Sequence, residues 1–142
     1  MNIKFAESDE EIKNCFPVMS QLRPHLSDAE FFAQVKRQQA DGYFLAFLED
    51  ESAVKAVAGF RVGEMLYSGR YLYVDDLVTD ETERSNGYGD RLFDWLVNHA
   101  REQNCRQFRL DSGVQRFDAH RFYFRKRMRI SAYNFTLALE DD

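Results

Sequence analysis

Arg84-Ser85-Asn86-Gly87-Tyr88-Gly89 stands between a strand-like run and a segment of helical periodicity. Two glycines one residue apart at such a junction let the backbone pass close to a ligand. A helix that starts there presents unpaired N–H groups and the positive end of its dipole. Arg84 adds a fixed positive charge, and the whole is suited to an anion, most often a phosphate. Just upstream lie two adjacent carboxylates, Asp75 and Asp76. In a regular strand Asp76 alternates with Val74 and Val78 on one face, while Asp75 shares the other with Leu77 and Thr79. One face is core and the other cleft, so one aspartate is expected to meet substrate. Asp76 is preferred, as a base or as a cation-binding carboxylate.

Two familiar phosphate motifs do not fit. No Lys-Ser/Thr follows the second glycine, as a P-loop requires, and the dinucleotide fingerprint needs a third glycine. Composition narrows the field further. The 142 residues suffice for a single domain over 1–142, with a genuine core. No apolar run approaches the ~20 residues of a membrane span. The N-terminal residues Met1–Glu7 turn acidic before a signal-peptide core forms, so a cytoplasmic protein is expected. The net charge of −5 argues against general nucleic-acid binding, although Lys and Arg outnumber Asp from Arg106 to Arg129. Cys15 and Cys105 read as reduced thiols, and no Cys/His cluster has metal spacing.

The elements that must position the loop follow from periodicity. Ser8 with Glu11 and Ser27 with Glu30 are capping signatures for two helices. Strands are expected at Tyr43–Leu48, Ala53–Val62 and Arg70–Thr79, with a turn at residues 49–52 and a loop from Gly63 to Gly69. Leu92, Phe93, Leu96, Val97 and Ala100 recur at helical spacing after the glycines. Gln107–Asp111 returns to strand, which implies a parallel, right-handed crossover. A short aromatic and basic helix, Phe117–Lys126, and a final strand, Ile130–Leu139, complete the pattern. The fold class is therefore α+β. It has a single mixed β-sheet with flanking helices in the order α-α-β-β-β-α-β-α-β, and room for a short first strand at Ile3–Ala6.

Arg84-x-x-Gly87-x-Gly89, placed after Leu77-Val78 and before an amphipathic helix, resembles the coenzyme A signature of the GNAT superfamily of N-acetyltransferases. Ala119-His120-Arg121-Phe122-Tyr123 is similar to the Ala-x-x-Phe-Tyr helix downstream of that signature, and the element order agrees along the chain. The resemblance implies that Arg84, Ser85, Asn86, Gly87, Tyr88 and Gly89, with Asp90 nearby, cradle the pyrophosphate of acetyl-CoA. Leu77 and Val78, followed by Thr79, would pair with the pantetheine arm where two strands splay. Tyr123 would stand near the thioester sulfur. A phenol titrating near ~10 is protonated at neutral pH and can give its proton to a thiolate of comparable basicity. The competing reading of Tyr123 is a packed aromatic among Phe117, Phe122 and Phe124.

Two departures from the family pattern are visible. Arg116 replaces an asparagine common before the helix alanine, and Arg127-Met128 replaces a Gly-Phe pair after the helix.

The implied activity is transfer of an acetyl group from acetyl-CoA, a cosubstrate, to a primary amine by direct attack in a ternary complex, without metal. A noncatalytic acyl-CoA-binding module is the rival reading. His120, Arg23 and His25 are further candidates, the last two in the loop that borders the acceptor site in this superfamily. No membrane or nucleic-acid partner is implied. The final strand and the aromatic content are compatible with a homodimer.

Overall fold

Both expected capping boxes form. In the computed structural model, which describes residues 1–140, the Glu11 N–H donates to Ser8 Oγ at 3.1 Å, and the Ser8 N–H donates to Glu11 Oε1 at 3.0 Å. Ser27 and Glu30 repeat the exchange at 3.1 and 3.0 Å. The described residues fall into two compact units that meet in sequence at Leu110 and Asp111.

The first unit holds β1 (Asn2–Phe5), α1 (Asp9–Asn14), α2 (Phe16–Leu22), α3 (Asp28–Gln39), β2 (Tyr43–Asp50), β3 (Ala53–Met65), β4 (Gly69–Thr79), α4 (Tyr88–Glu102) and β5 (Gln107–Leu110). What the sequence presents as one first helix is divided at Cys15, because Pro17 lacks an N–H and sits in the first turn of α2. The strands form a five-stranded sheet in the order β1-β2-β3-β4-β5. All neighbours are antiparallel except β4 and β5, which run parallel as the crossover through α4 demands.

Alternation along β2 divides the core. Tyr43, Leu45 and Phe47 pack with Ile12, Met19, Phe31 and Val35 of α1–α3 on one face. Ala46 and Leu48 pack with Leu92, Leu96 and Ala100 of α4 on the other. The expected loop from Gly63 to Gly69 shrinks to a tight connection, because Gly63 belongs to the β3–β4 ladder, opposite Tyr71. A Cβ there would lie 2.7 Å from the Tyr71 hydroxyl, so this glycine makes room for a ring rather than a turn.

The second unit contains α5 (Phe117–Arg125). Its C-terminus closes in a Schellman motif: Met128 N–H donates to Tyr123 O and Arg127 N–H to Phe124 O, each at 3.0 Å. Arg127 occupies the left-handed position with φ +68°, where the family pattern has glycine. A side chain in that region costs about 1 kcal/mol. Arg127→Gly is therefore expected to raise stability by about 1 kcal/mol in urea unfolding. An unchanged or lowered stability would contradict this account of the helix exit.

The final strand expected at Ile130–Leu139 is not formed. These residues have no regular secondary structure and are exposed. Tyr133, Phe135, Leu137 and Leu139 have strand alternation, but a strand needs a ladder partner, and their own unit contains no other strand among its described residues.

Candidate active site

The glycine loop is a junction tied down by side-chain contacts. Residues Glu81–Asn86 form a 3₁₀ turn whose start is capped by Asp80, with Oδ1 accepting from the Thr82 N–H at 3.1 Å. Lys55 on β3 holds Glu83 at 2.9 Å, and Asn86 also donates to Glu83. Gly87 follows at φ +78°, a conformation that suits glycine, and α4 begins without a side-chain cap. The first bond of α4 runs from Arg91 N–H to Gly87 O, so the N–H groups of its opening turn have no intrahelical acceptor. Gly89 has a different task. A Cβ there would lie 2.9 Å from Thr79 Oγ1, so its absence lets the helix start close against the end of β4. Tyr88 turns inward, buried, and donates to Asp50 Oδ2 at 2.8 Å, so this residue offers a ligand its backbone and not its ring.

Beside the loop, β4 outruns β5. Their last pair is Val74 with Leu110, so Asp75, Asp76, Leu77, Val78 and Thr79 lack a ladder partner on that side. On the other side they pair with β3, Leu77 opposite Ala58 and Val78 opposite Val57. The open edge leads to the glycine loop and suits an extended, polar chain lying along the strand.

The β3–β4 register shifts between Gly59 and Phe60: Gly59 faces Asp76 and Phe60 faces Val74, with Asp75 left over. This bulge corrects the simple alternation of the carboxylates. Val74 packs with the α4 core and Val78 with the α1–α3 core, so they lie on opposite faces. Both carboxylates then reach the α1–α3 side. Asp75 pairs with Arg61 at 2.9 Å, and Asp76 accepts from Arg23 Nε at 2.9 Å and from the Tyr43 hydroxyl at 2.8 Å. Arg61 and Tyr43 are directly opposite across the ladder, hence on one face.

Burial and the neighbouring Asp76 push the Tyr43 phenol well above its ordinary value, so it stays a donor. Burial also raises Asp75, with Arg61 opposing. Gly59 is what admits this ring. A Cβ on it would overlap the Tyr43 hydroxyl, and so the Asp76 contact depends on that glycine.

Asp76, Tyr43, Arg23 and His25 line a cavity of about 270 Å³ whose remaining wall comes from α2, α3 and Leu26 between them. Arg23 is the C-cap of α2, just past Leu22, where the helix ends and the chain turns. The sequence-derived candidates Asp76, Arg23 and His25 are thus brought together. Tyr43, Gln34 and Gln38 were not among them, and only the pairing of β2 with β3 reveals Tyr43.

In the second unit, Tyr123 lies on α5 with its ring edge-on to Phe122, centroids 5.7 Å apart. Burial raises its phenol and Arg116 opposes the shift, so it is protonated throughout the neutral range. His120 lies one turn earlier and is spent on the backbone: its Nε2 is 2.8 Å from Gly113 O. No group of His, Cys, Asp or Glu among the described residues could hold a metal ion.

Residues 7–128 match the Acetyltransferase (GNAT) family. The chain belongs to the GNAT acetyltransferase family. It is 35% identical over 124 residues to the uncharacterized N-acetyltransferase YhdJ of Bacillus subtilis, with 87% of each chain covered. It is 33% identical over 66 residues to an aminoalkylphosphonate N-acetyltransferase of Salmonella typhimurium, 46% of this chain and 43% of that one. The fold is that of a putative acetyltransferase from Agrobacterium tumefaciens, with a TM-score of 0.83 at 19% identity over 97% of this chain and 99% of that one.

As a GNAT N-acetyltransferase the protein is an acyltransferase, and the family generally uses acetyl-CoA. Neither thiol of this GNAT chain is a good nucleophile. Cys15 is buried and pushed up to about 12, and Cys105 is raised by desolvation.

Proposed function

We propose that the protein moves an acetyl group from acetyl-CoA to a primary amine by direct attack in a ternary complex, the chain 1–142 working as one acetyltransferase domain. The observation that carries this reading is the continuity of the open β4 edge, Asp75–Thr79, with the uncapped start of α4. Pantetheine lies along Leu77, Val78 and Thr79. The pyrophosphate rests on the turn Arg84–Asp90, held by backbone N–H groups and by the charge of Arg84.

The acceptor amine enters the cavity beside Asp76, which binds the ammonium and takes its proton directly or through water. The neutral amine attacks the thioester carbonyl, whose oxygen is stabilised by a backbone N–H near Val78. Tyr123 protonates the departing thiolate.

The upward shifts of the Cys15 and Cys105 thiols, both from burial, support a route without an acyl-enzyme. Two unpaired cysteines also support a cytoplasmic location. The exposed Tyr133, Phe135, Leu137 and Leu139 support a homodimer.

Initial rates with both substrates varied test the order of events. The double-reciprocal lines are expected to intersect. Parallel lines, with acetyl transferred to the protein before the amine is added, would overturn direct attack. Tight acetyl-CoA binding with no transfer to any amine would favour the noncatalytic module instead.

A further inference from the structure

We infer that the cavity beside Asp76 takes a small zwitterionic amine, its ammonium on Asp76 and its anionic end on Arg23. This deepens the proposed function and rests on reading that cavity as the acceptor site. At about 270 Å³ it lies below the usual range for drug-sized ligands, so the occupant is a short molecule.

Its polar wall is unusual in carrying both signs. Asp76 is 13% exposed, and in the free protein each of its oxygens already has one donor, Arg23 Nε on Oδ1 and the Tyr43 hydroxyl on Oδ2. An incoming ammonium makes its full contact with Asp76 by taking the place of the Arg23 Nε at Oδ1. The displaced guanidinium is left half-buried. Nη2 keeps the Asp75 carbonyl at 3.0 Å, while Nε and Nη1 are left to find an acceptor.

A simple alkylamine supplies none, so its binding breaks one charge pair to make another and leaves the partly exposed Arg23 to water and the Asp75 carbonyl. A zwitterion exchanges the internal pair for two intermolecular ones. A carboxylate or a phosphonate presents two oxygens to a guanidinium in fork geometry. His25 stands beside Arg23 on the rim, as a further donor to the same anion. Leu26, Phe31 and Val35 also line the cavity and give it an apolar wall for a short carbon spacer.

The test titrates β-alanine, aminoethylphosphonate and propylamine into the full chain, followed by ligand-observed NMR, without coenzyme. At least one zwitterion is expected to bind about tenfold or more tightly than propylamine, the weight of one charge-assisted hydrogen bond. Comparison of the carboxylate with the phosphonate identifies the anion. Arg23→Met is expected to abolish the preference, and Arg23→Lys to keep it in weakened form, which separates lost charge from lost folding.

Equal or tighter binding of propylamine, no zwitterion binding, or a preference that survives Arg23→Met would overturn the inference. A thiol-release assay on the same panel then separates it from the reaction. A zwitterion that binds as stated yet is never acetylated supports the inference and removes the transferase reading of the site.

Discussion

Tyr123→Phe is expected to lower kcat about 100-fold while leaving acetyl-CoA affinity unchanged, the usual weight of a positioned general acid. The substitution removes only the hydroxyl. The ring and its edge-on contact with Phe122 remain, and the Schellman bonds that fix this turn of α5 are made by backbone atoms. The sign of the pH dependence follows from burial. The phenol is raised above its ordinary value, so its acid form persists through neutral pH and is lost only on the alkaline side, above about 10. In the wild type kcat should therefore not fall through Tyr123 ionisation between neutrality and that value. A kcat unchanged in the variant, with normal coenzyme binding, would return Tyr123 to the role of a packed aromatic.

The second large effect is expected at Asp76. Asp76→Asn keeps the shape and an accepting oxygen but removes the charge that faces Arg23, the Tyr43 hydroxyl and the acceptor. Loss of one partner from a desolvated charge pair weakens binding by a few kcal/mol, and the partial exposure of Arg23 moderates it. The acceptor kcat/KM should fall roughly 30-fold or more, with the KM for acetyl-CoA little changed. The pH optimum should move upward, because the ammonium then loses its proton without a carboxylate beside it. If neither the acceptor KM nor the pH optimum responds, Asp76 has no part in handling the amine.

Much of this site is legible in the sequence for local reasons. The capping boxes need only Ser8 with Glu11 and Ser27 with Glu30, and both form as written. The turn at Gly87 is required by its own backbone angle, and the helix after it by the spacing of Leu92, Leu96 and Ala100. What escaped is non-local. The bulge at Asp75 inverts the faces of β4, and no count of alternating residues can place it, since it is set by the register against β3.

Tyr43 meets Asp76 only because Gly59 lies between their strands and lacks a side chain. The final strand failed for the same reason in reverse. Its alternation is genuine, but alternation states which faces would differ and not whether a neighbouring strand exists. Arg127 shows a third limit. Hydrogen bonds of the Schellman closure hold a cationic side chain in a conformation that sequence preference assigns to glycine.

The central claim is that Arg84–Gly89 and the open edge of β4 form a coenzyme site. It is tested most directly by thermal unfolding of the wild type and of Gly87→Trp, each with and without acetyl-CoA. A Cβ at Gly87 meets nothing within 4 Å, and any strain of the substitution, including that of a side chain at φ +78°, is read separately from the ligand-free midpoints. At 100 times its Kd the coenzyme adds about 2.7 kcal/mol, a rise of several degrees. That rise in the wild type, lost in Gly87→Trp, is the predicted result. No rise at millimolar acetyl-CoA, or an equal rise in both proteins, would contradict the account.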